Sequence, residues 1–179
     1  MEYDTLLAFW FEKTPSSQWF KQDDALDKQI RETFYDTWQA ACRGELYPWR
    51  QNSRGRLAEI IVLDQFSRNL HRESAAAYAQ DSMALVLSQE ILHQPDWRAL
   101  NVTEKAFSLM PWTHSESPRI HEQALKLFET LNEPAFSDSE RKHKAIIDRF
   151  GRYPHRNKAL GRESTEAELA FLRDGKGRF

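Results

Sequence analysis

The chain has 179 residues, of which 40% are hydrophobic and 12% aromatic, enough to build one buried core. Its 25 Lys and Arg against 27 Asp and Glu give a net charge of −2, so no overall positive charge favours a nucleic acid or a membrane surface as partner. The single cysteine, Cys42, excludes an internal disulfide, and the polar start lacks the features of a signal peptide. We therefore expect a cytoplasmic protein without a membrane span.

Apolar residues recur at helical spacing along the whole chain, and glycine is scarce, which predicts an all-α fold of about eight helices. Ser74 is expected to cap the fourth helix, and Pro95, Pro111 and Pro134 each to end one. The predicted helices run from 4 to just before Pro15 and over 23–43, 54–70, 74–93, 101–110, 117–131, 138–150 and 164–172.

Two capping boxes mark predicted helix starts. Asn101 with Glu104, and Thr165 with Glu168, have the spacing at which each side chain satisfies a free backbone amide of the other residue. Short turns that contain proline then indicate a tetratricopeptide-like stack of antiparallel helix pairs. Because no 34-residue repeat aligns within the chain, an irregular helical domain is the alternative. We expect one domain over 1–172 and a frayed tail over 173–179.

The predicted helices carry apolar stripes that must cover one another. Trp10, Phe34, Trp38, Ile61 and Phe66 lie on such stripes in the first three helices. We expect these five side chains to share one buried core.

A first polar segment, Leu63–Asn69, closes the most hydrophobic helix. Asp64 and Arg68 are four residues apart, so they share one helix face, and Asn69 follows them. They form either an ion pair that fixes helix packing or the charged groups of a site.

A second polar segment, Met110–Glu116, is predicted to be a loop between two helices. His114 and Glu116 could transfer a proton or supply two metal ligands. The alternative is that His114 or Ser115 only satisfies free amides at the next helix start. The spacing is no standard zinc signature, so we expect no metal and no cofactor.

The third polar segment is strongly basic. Residues 141–162 hold eight Lys or Arg and one Asp, and arginine forks suit phosphate or carboxylate groups. The alternative is that these arginines pair with carboxylates of the chain itself. The segment is too short and rich in turns for a helix that reads DNA, so nucleic acid is not an expected partner. The candidate ligand-binding residues here are Arg149, Arg152, His155, Arg156, Asn157 and Arg162.

In a stack of helix pairs, the ends of alternate helices return to the same side. The three polar segments each adjoin a predicted helix end. We therefore expect them to converge, with Asp64 and Arg68 beside His114 and Glu116, and with the basic side chains facing them.

Four stretches together resemble a bacterial family, domain of unknown function 924. They are WF at 19–20, LDQFSRN at 63–69, MPWTHSE at 110–116 and RFGRYPHRNKALGRESTEAE at 149–168. The resemblance spans nearly the whole chain. It implies a tetratricopeptide-type helical fold and no established activity.

Two functions from different classes remain. The first is a binding module that presents a helix-lined groove to a peptide or protein partner. The second is an enzyme or small-molecule binder that holds an anionic ligand in a pocket rich in Arg and His. The chain contains no GxSxG, GxxxxGK[ST] or HExxH motif, which disfavours the familiar hydrolase and nucleotide-binding chemistries.

Overall fold

The computed structural model describes residues 2–175. Within this range the chain folds into helices without strands, which confirms the all-α prediction. Nothing in the described range is long and apolar enough to act as a membrane-spanning helix. The α-helices are α1 Tyr3–Ala8, α2 Asp24–Cys42, α3 Ser53–Ile61, α4 Ser67–Leu70, α5 Asp81–Ile91, α6 Val102–Thr113, α7 Pro118–Glu129, α8 Pro134–Phe150 and α9 Glu166–Arg173.

Two π-helical turns interrupt the expected pattern. Phe9–Lys13 continues α1, and Val62–Phe66 connects α3 to α4, so the single helix predicted over 54–70 is three consecutive pieces. Each π-turn inserts an extra residue into the helical spacing and rotates the side chains that follow it. The second π-turn contains Asp64.

The predicted capping boxes are both present. Asn101 and Glu104 exchange side chain to backbone hydrogen bonds at the start of α6, and Thr165 and Glu168 do so at the start of α9. Both motifs depend only on residues three apart, which is why the sequence locates them. The helix α9 ends at Arg173, the first residue of the expected tail, and 176–179 lie outside the described residues.

Several helix bounds differ from the prediction. Ser74 bonds to the carbonyl of His71 and precedes a 3₁₀ turn at Ala75–Ala77, so the next α-helix begins only at Asp81. Pro134 is the first residue of α8 rather than a terminator, a position where its missing N–H costs no helical bond.

Pro111 lies inside α6 instead of ending it. Proline removes only its own amide, and the helix is closed beyond it by the bond from the His114 amide to the Met110 carbonyl, 3.1 Å. The segment predicted as a loop therefore begins one turn later. His114 stands at the end of the helix, which fixes its direction.

The largest apolar cluster is formed by α1, the π-turns, α2, α3 and α5. It contains Trp10, Phe34, Ile61 and Phe66 as predicted. Trp38 is only partly buried at its edge, where its Nε1 donates to Ser67 Oγ at 2.9 Å. Two smaller clusters lie between α6 and α7 and around the end of α8.

Consecutive helices from α5 to α8 pack on one another, and α3 contacts α1, α5 and α6. This agrees with stacking of sequential helices. That the pairs follow a tetratricopeptide arrangement stays a prediction. Gly151, with φ +68°, ends α8 in the left-handed conformation that favours glycine, and this turns the basic segment 152–157 back towards the end of α6.

Candidate functional site

The centre of the candidate site is a carboxylate inside the π-turn. Every residue of Val62–Phe66 is buried, and the Asp64 side chain is almost fully enclosed. Single π-turns within helices occur frequently at functional sites because they redirect a side chain that a regular helix would not present. The π-turn directs this carboxylate toward the end of α6.

Asp64 meets His114 there. The His114 Nδ1 and Asp64 Oδ1 atoms lie 2.6 Å apart, although the two residues are fifty positions apart in sequence. The His114 side chain keeps 16% of its surface exposed. Its second nitrogen, Nε2, has no hydrogen-bond partner among residues 2–175.

Burial, together with one neighbouring positive charge, favours the neutral imidazole of His114. Burial and the neighbouring Arg68 guanidinium lower the pKa of His114, and the opposite influence of Asp64 does not offset them. Burial alone would raise the pKa of the Asp64 carboxyl, but Arg68 and His114 hold it below its usual range. A neutral imidazole beside a carboxylate donates from Nδ1, so Nε2 is left with a lone pair.

Arg68 joins the pair to a second carboxylate. Its Nη1 lies 3.2 Å from Asp64 Oδ1 and donates to the Asp64 carbonyl at 2.7 Å. The same guanidinium binds both carboxylate oxygens of Asp81, at 3.0 and 3.1 Å. These contacts raise the pKa of Arg68 further, despite its burial.

Arg156 reaches the same Asp81 from the basic segment, with Nη1 to Oδ2 at 3.2 Å. Its guanidinium lies between the rings of Tyr78 and Tyr153, 4.7 and 4.5 Å from their centroids. The residue is only 5% exposed, and its Nε is buried without a hydrogen-bond partner in the described chain. Its Nη2 also has no such partner among residues 2–175.

We call Asp64, Arg68, His114 and Arg156 the dyad site. A chain of contacts no longer than 3.2 Å runs from His114 through Asp64, Arg68 and Asp81 to Arg156. It joins one side chain or more from each of the three predicted polar segments. His155 stands beside it, exposed, with its ring 5.5 Å from that of Tyr153.

Residues 6–176 match the sequence model of a family of bacterial proteins of unknown function, domain of unknown function 924. The chain belongs to this family. Among solved structures, a protein of unknown function from Agrobacterium tumefaciens is similar to it, with 32% identity, a TM-score of 0.91 and 97% of each chain covered. No curated protein matches the chain.

In this member of the family, Glu116 belongs to a separate network of hydrogen bonds and ion pairs next to the dyad site. Its Oε1 accepts from the Tyr153 amide at 2.7 Å, and Arg162 binds both of its oxygens at 2.7 and 2.9 Å. Arg162 also donates to Asn157, which in turn donates to Ser164. Each charge is paired here, so the network holds the turn that presents Arg156.

Three other predicted candidates lie apart from the dyad site. Arg152 makes a two-pronged ion pair with Glu168, and Arg149 stacks on Phe150 and Phe171. Asn69 donates to Asp27 at 2.7 Å, on the side of its helix that faces α2. The convergence expected from the sequence is therefore partial.

Sequence reasoning missed Tyr78 and Asp81, which hold the two arginines. The sequence pattern predicts both in the interior of a helix from 74 to 93, where neither stands out. The structure puts Asp81 at the first position of α5, and acidic residues are common at such helix starts. That preference is the one sequence signal that could have located it.

A second carboxylate–histidine pair was also missed, beneath the same helix end. His121 Nδ1 and Glu140 Oε1 lie 2.6 Å apart, and both side chains are 0% exposed. The other nitrogen, His121 Nε2, lies 2.8 Å from the Ser115 carbonyl. Both nitrogens thus face oxygen acceptors, and this pair fixes the backbone next to His114.

Neither pair forms a metal centre by itself. Among residues 2–175, no group of three or more His, Cys, Asp or Glu is placed to hold a metal ion. The chemistry that the dyad site offers is that of a hydrogen-bond acceptor on His114 and hydrogen-bond donors on Arg156.

Proposed function

We propose that this protein binds a small anionic ligand at the dyad site. The observation that carries the proposal is the Arg156 guanidinium: the residue is almost fully buried, its Nε is enclosed without a partner, and its Nη2 has no partner among the described residues. Unpaired donors on a buried cation are rare in folded proteins. A carboxylate or phosphate oxygen at Nη2 would gain a charge-assisted hydrogen bond.

The carboxylates of the chain are already engaged. Asp64 is shared by His114, Arg68 and Gln65, and Asp81 is shared by Arg68 and Arg156. Arg156 receives a single contact from Asp81, at 3.2 Å, whereas Arg68 receives two. The free side of Arg156 is therefore the part of the site that is complementary to an added negative charge.

The test is thermal unfolding of the full chain in the presence of a panel of small anions, among them inorganic phosphate, sulfate and citrate. A ligand at a hundredfold its dissociation constant stabilises the folded state by about 2.7 kcal/mol. Arg156→Gln should abolish the stabilisation, measured against the melting temperature of the unliganded variant.

Arg152→Gln is the matched control. It makes the same change four residues away, at an arginine whose fork is filled by Glu168. It should leave the stabilisation unchanged. Stabilisation that survives Arg156→Gln, or that disappears in Arg152→Gln, would place the anion elsewhere and contradict the proposal.

A peptide partner is the second candidate, supported by a cleft of about 620 Å³ between the end of α5 and α7. Its lining includes Leu92, Pro95, Trp97 and Leu127, and Arg98 lies at its border. This combination fits a peptide that carries an apolar side chain next to an acidic one. Peptides selected from a display library should lose binding in Leu127→Glu and keep it in His114→Gln, whereas the reverse result would remove the cleft as a site.

A further inference from the structure

His155 and Arg156 lie against the same aromatic ring. The His155 ring centroid is 5.5 Å from that of Tyr153, and the guanidinium carbon of Arg156 is 4.5 Å from the Tyr153 centroid. The two residues are also neighbours in the 3₁₀ turn Pro154–Arg156. The imidazole and the guanidinium are therefore within about 10 Å of each other, a distance over which charges at a protein surface interact.

His155 is surrounded by more positive than negative groups. The charged and titratable groups that act on it are Arg156 of its own turn, Arg68 of α4, His114 at the end of α6, Glu116 beyond it, and His143 of α8. Glu116 is the one acid of this set, and Arg162 binds both of its oxygens. Desolvation of the His155 ring, followed by the charges of Arg156 and Arg68, lowers the pKa of His155 from 6.5 to about 4.

We propose that an anion bound at Arg156 is taken up together with a proton, which His155 accepts from solvent. This inference rests on the proposed function, because it places the anion on the free Nη2 of Arg156. The anion offsets the guanidinium charge and so removes one cause of the neutral state of His155. The proton forms an N–H bond on the imidazole, and the ligand stays chemically unchanged.

The sign of the coupling follows from linkage. Without the anion, the His155 imidazole is neutral above about pH 4, whereas with the anion it is protonated up to a higher pH. Between these two values the bound form holds more protons than the free form, so affinity for the anion rises as the pH falls. One unit charge at about 10 Å, with an effective dielectric constant of about 20, moves the titration by about one pH unit.

The neighbouring histidines are less suited to this role. Both ring nitrogens of His121 face oxygen acceptors. The cation that lowers the pKa of His114 is Arg68, which is already bound by Asp81 through two contacts. An anion at Arg156 therefore acts first on His155.

The first experiment follows the histidine ring protons of the full chain by NMR as a function of pH, with and without saturating sulfate. Sulfate stays fully ionised over this range, so the ligand cannot supply the proton. The titration midpoint of His155, assigned with His155→Gln, should rise by about one pH unit when sulfate binds. Arg156→Gln should produce a similar rise without sulfate, and sulfate should then have no further effect.

The second experiment counts the protons. Calorimetric titration with sulfate at pH 5, in two buffers that differ in ionisation enthalpy, should show uptake of about half a proton. The affinity should be about twofold higher at pH 5 than at pH 7. His155→Gln should bind sulfate equally at the two pH values without proton uptake. His93→Gln is the matched control at another exposed histidine, and it should keep the uptake.

The outcomes separate the two proposals. Sulfate binding that Arg156→Gln abolishes, but that takes up no proton or still takes one up in His155→Gln, overturns the coupling and leaves the anion site standing. A His155 that titrates near pH 6.5 in the unliganded chain also overturns the coupling. Absence of sulfate binding overturns it as well, and absence of binding by every anion of the panel overturns the proposed function too.

Discussion

The two carboxylate–histidine pairs of this fold share one contact and differ in what lies beyond it. In both, the imidazole Nδ1 is 2.6 Å from a carboxylate oxygen. His121 Nε2 is occupied by the Ser115 carbonyl and the pair is fully enclosed, whereas His114 Nε2 has no partner in the described chain and its side chain is partly exposed.

This difference shows that the pair itself does not indicate a site. A carboxylate that orients an imidazole stabilises a fold when both ring nitrogens are used, and it prepares a reactive or ligand-binding nitrogen when one is left free. We therefore assign a structural role to His121–Glu140 and propose a ligand-binding role for Asp64–His114. Each prediction below tests that assignment.

The largest expected effect comes from the same substitution at both histidines. His121→Phe removes the hydrogen-bond partner of the fully buried Glu140, whose Oε2 already has no hydrogen bond in the described chain. It should lower the free energy of unfolding by about 3 kcal/mol, the upper end of the cost of leaving a buried polar group without its partner. The measurement is urea denaturation followed by circular dichroism.

His114→Phe is the matched variant. It leaves Asp64 with Arg68 and Gln65 as partners, so it should cost clearly less stability. Similar losses of unfolding free energy in the two variants would mean that both pairs are structural. The difference drawn between the two pairs would then be wrong.

Acid is expected to unfold the protein through histidines that the fold keeps neutral. Burial lowers the pKa of His143 from 6.5 to about 3, and burial with Arg68 also lowers the pKa of His114. The unfolded chain therefore binds these protons first, so this stability is complete above about pH 6.5 and is lost as the pH falls towards 3.

For His143 the loss between pH 6.5 and 5 should be about 2 kcal/mol, since each pH unit in the window is worth about 1.4 kcal/mol. Denaturation curves recorded across this range measure it, and His143→Gln should flatten the slope. A slope that His143→Gln leaves unchanged would transfer the acid sensitivity to other groups.

Features that depend on residues near one another in sequence were predicted correctly. Features that depend on contacts between distant residues were not. The capping box of Asn101 and Glu104 and the stripe of α2 depend on near neighbours, and both are present. The sequence pattern predicts that Pro134 ends a helix, although a proline next to a turn fits the first position of the following helix equally well, and that is where the structure has it. The sequence could not decide between those two readings.

The candidate site was predictable to the same extent: its residues could be named from the sequence, but their contacts could not. Asp64 and His114 were both recognised as unusual, but only the fold joins them, and the π-turn that aims Asp64 leaves no pattern in the residue types. The basic segment was likewise visible. Which of its arginines stays unsatisfied depends on carboxylates such as Asp81 and Glu168, and the sequence does not say how these pair.

The smallest effect concerns Tyr153, which contacts both His121 and the Arg156 guanidinium. Tyr153 is fully buried, its hydroxyl donates to the Thr113 carbonyl at 2.5 Å, and it lies 3.4 Å from His121 Nε2. Tyr153→Phe leaves that carbonyl without a donor and should cost about 1 kcal/mol in urea denaturation. The stabilisation by anions proposed at Arg156 should not change, because phenylalanine keeps the ring against which the Arg156 guanidinium packs. Loss of that stabilisation in Tyr153→Phe would show that the anion site depends on the Tyr153 hydroxyl as well as on its ring.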